Sequence, residues 1–181
     1  KLLLPWAGRT VIAHIVDQVA DDDEVQRVAV VTRAGSGVAE ALAGAAAGKL
    51  EVVANPDPDA DMLSSVRCGL RALEGECEAY LVALGDQPTI TTELVRRMIA
   101  AQRQSGRGIV VPVCTGRRGH PLLLAAKYRE EVLTRFDGVG LRGLADAHGD
   151  DELELDEPDA AVLHDMDFPA DYQRAAGNVL K

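Results

Sequence analysis

Aromatic side chains are scarce: one Trp, three Tyr and two Phe in 181 residues. A single-strand nucleic-acid binder needs ring faces on which bases stack, so that class is disfavoured. Basic charge is in deficit too. Lys and Arg number 19 against 29 Asp and Glu, for a net charge of -10. Such a chain repels a phosphate backbone, and no nucleic-acid partner is expected. The three cysteines, Cys68, Cys77 and Cys114, match no zinc or redox spacing. They read as free thiols in a reducing, cytoplasmic setting. No apolar run approaches the ~20 residues of a membrane span, and Leu2-Leu3-Leu4 is cut by Pro5, so neither a membrane partner nor a signal peptide is expected. No Ser or Cys sits in a nucleophile elbow, and no His pair has metal spacing. Arg33-Ala34-Gly35-Ser36-Gly37 lacks the third glycine of a dinucleotide fingerprint.

What the chain has is aliphatic bulk, with 47% apolar residues. Residues 28–32, 51–54, 80–84, 109–113, 119–125 and 161–165 are short apolar runs that read as strands. Helical spacing is expected over 10–20, 38–47, 63–73, 92–104, 128–136 and 141–147, and Pro169 suits the first turn of a last helix. Residues 55–58, Asn-Pro-Asp-Pro, read as a loop. The acidic runs at 21–24 and 150–152 read as solvated loops. Strands alternating with helices imply a mostly parallel sheet covered on both faces: one α/β domain over 1–181, a Rossmann-like three-layer α/β/α fold. In such sheets ligands bind beyond the carboxyl ends of the strands.

Four constellations stand at those ends. Gly85-Asp86-Gln87-Pro88 closes an apolar strand. Its carboxylate serves either a Mg²⁺ ion, which takes one or two carboxylates plus phosphate oxygens and water, or the cap of the next helix. Asp165 and Asp167 stand two apart; on a strand they would share one face and join Asp86, and the alternative is a cap ahead of Pro169. Ser64 and Ser65, after Asp61-Met62-Leu63, open a helix and suit either a polar ligand or simple capping. Gly116-Arg117-Arg118-Gly119-His120-Pro121 reads as an anion-wrapping loop or as a basic hairpin turn.

In this order the motifs resemble the molybdenum cofactor nucleotidyltransferases, the MobA-like and MocA-like enzymes, and the cytidylyltransferase branch most closely. The stretch from Lys1 to Thr10 is similar to the end of the family's glycine-rich signature. Met62-Leu63-Ser64-Ser65-Val66-Arg67, Gly85-Asp86-Gln87-Pro88, Gly119-His120-Pro121 and the segment from Asp165 to Tyr172 continue the match. The resemblance implies the nucleotide-diphospho-sugar transferase type of fold, with an N-terminal strand and glycine-rich loop expected ahead of Lys1. It implies Mg²⁺-dependent transfer of CMP from CTP to a molybdopterin cofactor, with release of pyrophosphate. Lys1 would neutralise the triphosphate and act with Asp86 in catalysis. Asp86 and Asp167 would hold Mg²⁺, with Asp165 beside them. Ser64, Ser65, Gly85 and Pro88 would line the nucleotide, with Ser65 on the base, and His120 and Arg118 would lie near the second substrate. A molybdoenzyme or its maturation chaperone would be the protein partner. Two other readings stay open. One is guanylyl or other nucleotidyl transfer to molybdopterin, a sugar phosphate or a phosphorylated small acid. The other is a non-catalytic protein that binds and delivers the cofactor. Asp61 departs from the glycine usual in the cytidylyltransferases.

Overall fold

A computed structural model describes all residues except 47, 58, 60, 180 and 181. The chain opens with a small antiparallel pair, β1 (Pro5–Trp6) and β2 (Arg9–Thr10). Helix α1 (Val11–Ala20) follows at once, because the Thr10 hydroxyl accepts from the Ala13 amide and caps it. Its Val11, Ile12, Ile15, Val16 and Val19 recur at helical spacing and are buried. Next come β3 (Val28–Thr32), α2 (Val38–Ala41) and β4 (Leu50–Ala54), with β3 and β4 parallel and in register from Val28↔Leu50 to Thr32↔Ala54. The helix expected over 38–47 stops at Ala41. Gly44 and Ala46 adopt positive φ, which an α-helix cannot contain. Residue 47, its expected end, and residue 58 of the proline loop lie outside the described residues.

Helix α3 (Met62–Ala72) leads to β5 (Ala79–Val82) and then to α4 (Thr92–Ser105). Strand β6 (Ile109–Cys114) turns into β7 (Arg117–Arg118) through Thr115 and Gly116, both at positive φ, the two-residue turn that suits the twist of a hairpin. The basic segment is thus a hairpin turn. The return continues as β8 (Leu122–Ala125), which runs antiparallel to both β6 and β5. Helices α5 (Arg129–Thr134) and α6 (Leu141–Ala147) precede β9 (Glu152–Asp156), and α7 (Pro169–Val179) ends the chain.

β9 corrects the sequence reading twice. The acidic run at 150–152 leads into a strand, parallel to β6, whose Leu153 and Leu155 pack inward while Glu154 and Asp156 face solvent. That alternation is a strand signal that the surrounding charge conceals. With β9 on β6, the strand expected over 161–165 finds no edge there. Residues Ala160–Leu163 instead form a 3₁₀ turn, capped by Asp159 through the Ala161 amide. Asp165 and Asp167 therefore lie in a loop and not on one strand face.

The α/β fold has helices on both faces. Leu81, Leu123 and Val110 point toward α4, whereas Tyr80, Leu124 and Ile109 point toward α3, α5 and α6. Among the described residues no hydrogen bond joins β3 to β5. A cavity of about 1180 Å³ separates them, roofed by Ile12 and Ile15 of α1 and floored by Val66 and Leu70 of α3. No described helix is long and apolar enough to cross a membrane.

The strand expected over 119–125 begins only at Leu122, because the preceding backbone is drawn to the 160–163 turn. The His120 amide donates to the Val162 carbonyl at 3.0 Å, and a Cβ on Gly119 would collide with that same carbonyl. Gly119→Ala is expected to cost about 1–3 kcal/mol, as overpacking of a closed site does. A lower urea midpoint at unchanged slope would show it.

Candidate active site

The carboxyl end of β5 breaks into a turn, in which the Gln87 amide donates to the Leu84 carbonyl and the Ile90 amide to the Gln87 carbonyl. This aims Asp86 outward. From the far end of the chain, the Met166 amide donates to the Asp86 carbonyl at 3.1 Å and brings the 164–168 loop alongside. Lys1 meets both loops. Its ammonium lies 2.5 Å from Asp86 Oδ2 and 3.0 Å from Asp167 Oδ1. The hydrogen bond to Asp86 raises the Lys1 pKa, burial opposes it, and Asp167 adds to the rise. All three groups reach solvent, so the triad contributes little to folding stability.

Asp165 turns away from this triad. Its Oδ1 accepts from Gln87 Nε2 at 2.5 Å, and Gln87 is buried. Accordingly, among the described residues, no three His, Cys, Asp or Glu side chains form a ready metal cage. The donor set still suits a hard divalent ion. Asp86 and Asp167 already share one cationic atom, and Mg²⁺ takes one or two carboxylates with substrate phosphates and water completing its shell. His120 stands near this cluster. Burial lowers its pKa, against the pull of the Asp165 and Asp86 carboxylates.

The other expected residues are distributed unevenly. Ser65 lines the large cavity together with Lys1, Thr32 and Asp86. Ser64 borders a separate polar pocket of about 360 Å³ with Asp57, Asp59 and Arg67. Neither serine caps α3. Asp61 does, accepting from the Ser64 amide at 2.7 Å. A Cβ on Gly85 would make only ordinary contact with Ile12 and Leu2, so its expected close approach is not forced by crowding. Pro88 is buried, with its backbone near His14. Arg118 is held by Glu152 at 2.5 Å and Glu154 at 3.4 Å, both carboxylates of β9. Two residues had no role assigned from sequence: Gln87, quoted only as part of its motif, and Asn55, read only as loop, whose side chain joins both serines. Asn55 directly follows strand β4, the same signal that singled out Asp86.

Residues 1–152 match the MobA-like NTP transferase domain family. The chain belongs to this family. A MobA-like domain is a nucleotidyltransferase. The chain is 31% identical to the bifunctional enzyme IspD/IspF of Clavibacter michiganensis subsp. michiganensis, over 99% of this chain and 43% of that protein. It thus spans less than half the length of this curated relative. Among solved structures, a nucleotidyl transferase from Methanothermobacter is 28% identical with a TM-score of 0.76, covering 99% of this chain and 85% of that one. Rv0371c of Mycobacterium tuberculosis H37Rv superposes with a TM-score of 0.79 at 24% identity, covering 98% and 89%. That likeness speaks to fold alone. Rv0371c has also been solved in complex with manganese.

His14 and His120 both have pKa values lowered chiefly by burial. Unfolded, each titrates near pH ~6.5. Below that pH the unfolded chain binds more protons than the folded one, so stability is complete above about 6.5 and is lost as the pH falls. Urea midpoints at about pH 8 and about pH 5 should differ in that direction. A His14→Gln/His120→Gln variant should flatten the difference.

Proposed function

We propose that this MobA-like domain transfers CMP from CTP to a molybdopterin-type cofactor, with Mg²⁺ as the metal. The observation that carries the reading is the convergence of Lys1, Asp86 and Asp167 beyond the end of β5. An oxygen of the acceptor phosphate attacks the α-phosphorus of CTP. A P–O bond forms there, the α–β bridging bond breaks, and pyrophosphate leaves. The attacking phosphate is ionised at neutral pH, so the protein need supply only positioning and charge. Asp86 and Asp167 would hold Mg²⁺, which would supply neutralisation of triphosphate charge there. The Lys1 ammonium would turn to the phosphate oxygens, where a fixed positive charge stabilises the transition state. Asp165 supports the loop through Gln87. Ser65, with Gly85 at the turn, faces the base, and His120 lies toward the acceptor. Pro88 and Ser64 act on the nucleotide through the backbone and Asn55, and Arg118 borders the acceptor side.

The expected strand and glycine-rich loop ahead of Lys1 belong to this reading. The slot between β3 and β5 would seat such a strand, delivering its end to Lys1. A cytoplasmic setting and handover to a molybdoenzyme or its chaperone complete the proposal. The manganese complex of Rv0371c supports a divalent ion, and the second acceptor class is a sugar phosphate or phosphorylated small acid.

Pyrophosphate release from CTP should require both molybdopterin and Mg²⁺ and exceed release from GTP. Release with GTP at an equal or higher rate means guanylyl transfer. Release with a sugar phosphate in place of molybdopterin selects the second acceptor. If calorimetry with Mg²⁺ detects no nucleotide binding, the chain is a non-catalytic carrier. Asp86→Ala and Asp86→Asn should each lower kcat by about a hundredfold or more. Their melting temperatures should stay near that of the parent, and near-parental turnover would remove Asp86 from the site.

A further inference from the structure

We infer that Asn55 is a positioning residue for nucleobase choice. It fixes the Ser65 hydroxyl as a hydrogen-bond acceptor toward the cavity, favouring a base that presents an amino group there over one that presents a carbonyl. The inference rests on the reading above, in which Ser65 faces the base.

Asn55 is the first residue past β4. Its amide donates to the Thr32 carbonyl at 2.8 Å, extending the parallel ladder one step beyond the strands. Only 7% of the residue is exposed. Its side-chain oxygen accepts from the Asp57 amide at 3.1 Å, which fixes the orientation of the carboxamide, since a flipped group would set N–H against N–H. The nitrogen therefore faces the helix start. It donates to Ser64 Oγ at 3.0 Å and to Ser65 Oγ at 3.3 Å. Both of its hydrogens are used.

A serine hydroxyl has one proton and two lone pairs. The Ser65 proton goes to the Asp61 carbonyl at 3.2 Å, one turn back along the chain. One lone pair takes the Asn55 hydrogen. What remains is one lone pair, and Ser65 lines the cavity that holds Lys1 and Asp86. Cytosine presents an amino donor at the edge where uracil, like thymine, presents a carbonyl acceptor. The amino group finds a partner in Ser65. The carbonyl meets a lone pair unless the Ser65 proton leaves Asp61. Without Asn55, the hydroxyl gains a free lone pair and a further rotor position, and the polarity is no longer imposed.

Pyrophosphate release from CTP and from UTP, as a ratio of kcat/KM values, tests this. The parent protein should prefer CTP. Asn55→Ala should lower the preference about tenfold, the equivalent of one hydrogen bond. Ser65→Ala should lower it to the same level, and the double variant should show no further loss. A purely structural role for Asn55 would slow both nucleotides equally, and an unchanged ratio in folded Asn55→Ala overturns the inference. If Asn55→Ala does not fold, Ser65→Ala decides alone, and full preference retained there overturns it as well. A parent protein that releases pyrophosphate from neither nucleotide refutes the cytidylyl-transfer reading. A parent that uses CTP and UTP equally leaves that reading standing and refutes the role of Asn55.

Discussion

Two carboxylates separated by 81 residues in sequence share one ammonium group, and the surrounding loops are arranged to allow it. Asp86 is aimed by the turn that closes β5, and Asp167 is carried in by the Met166–Asp86 backbone bond. In a chain of net charge -10, two acidic groups held this close repel unless a cation lies between them. The Lys1 ammonium meets that requirement. A site that already demands positive charge is suited to exchange one cation for another. In the proposed reaction, the same side chain that balances the carboxylates would turn to balance phosphate.

Polar groups in the loops around the cavity do unequal jobs. Asp61 spends its carboxylate on the first turn of α3, and Asp165 spends its own on Gln87. Asn55 makes no direct contact with the Lys1 triad, yet it governs two hydroxyls at the start of α3. A single carboxamide thus ties β4 to the helix that passes beneath the cavity, so the local backbone and the chemistry of the cavity wall are set together.

Much of this was legible in sequence. Apolar periodicity found α1, α3, α4, β3, β4, β5 and β6, and placed Asp86 at a strand end. Strand β9 stayed hidden because its two inward leucines alternate with acids that resemble a solvated run. The supposed strand near 161–165 was apolar enough, but the edge it required belonged to β9, a tertiary fact that no local pattern carries. Orientation was the other blind spot. Adjacent serines 64 and 65 look equivalent in sequence, yet a helix turns successive residues about 100° apart, and they face different pockets. Arg118 likewise looked free until β9 supplied Glu152 and Glu154.

The slot between β3 and β5 bears on solubility as well as on architecture. Two strand edges face it with backbone N–H and C=O groups that no described strand pairs, and their side chains are largely Val, Ala and Leu. Such edges template pairing with other molecules and are ordinarily blunted by charge or proline. Neither β3 nor β5 carries these safeguards. Here α1 and α3 take their place, lining the slot from both sides. The two helices thus restrict access to two strand edges that no described strand pairs.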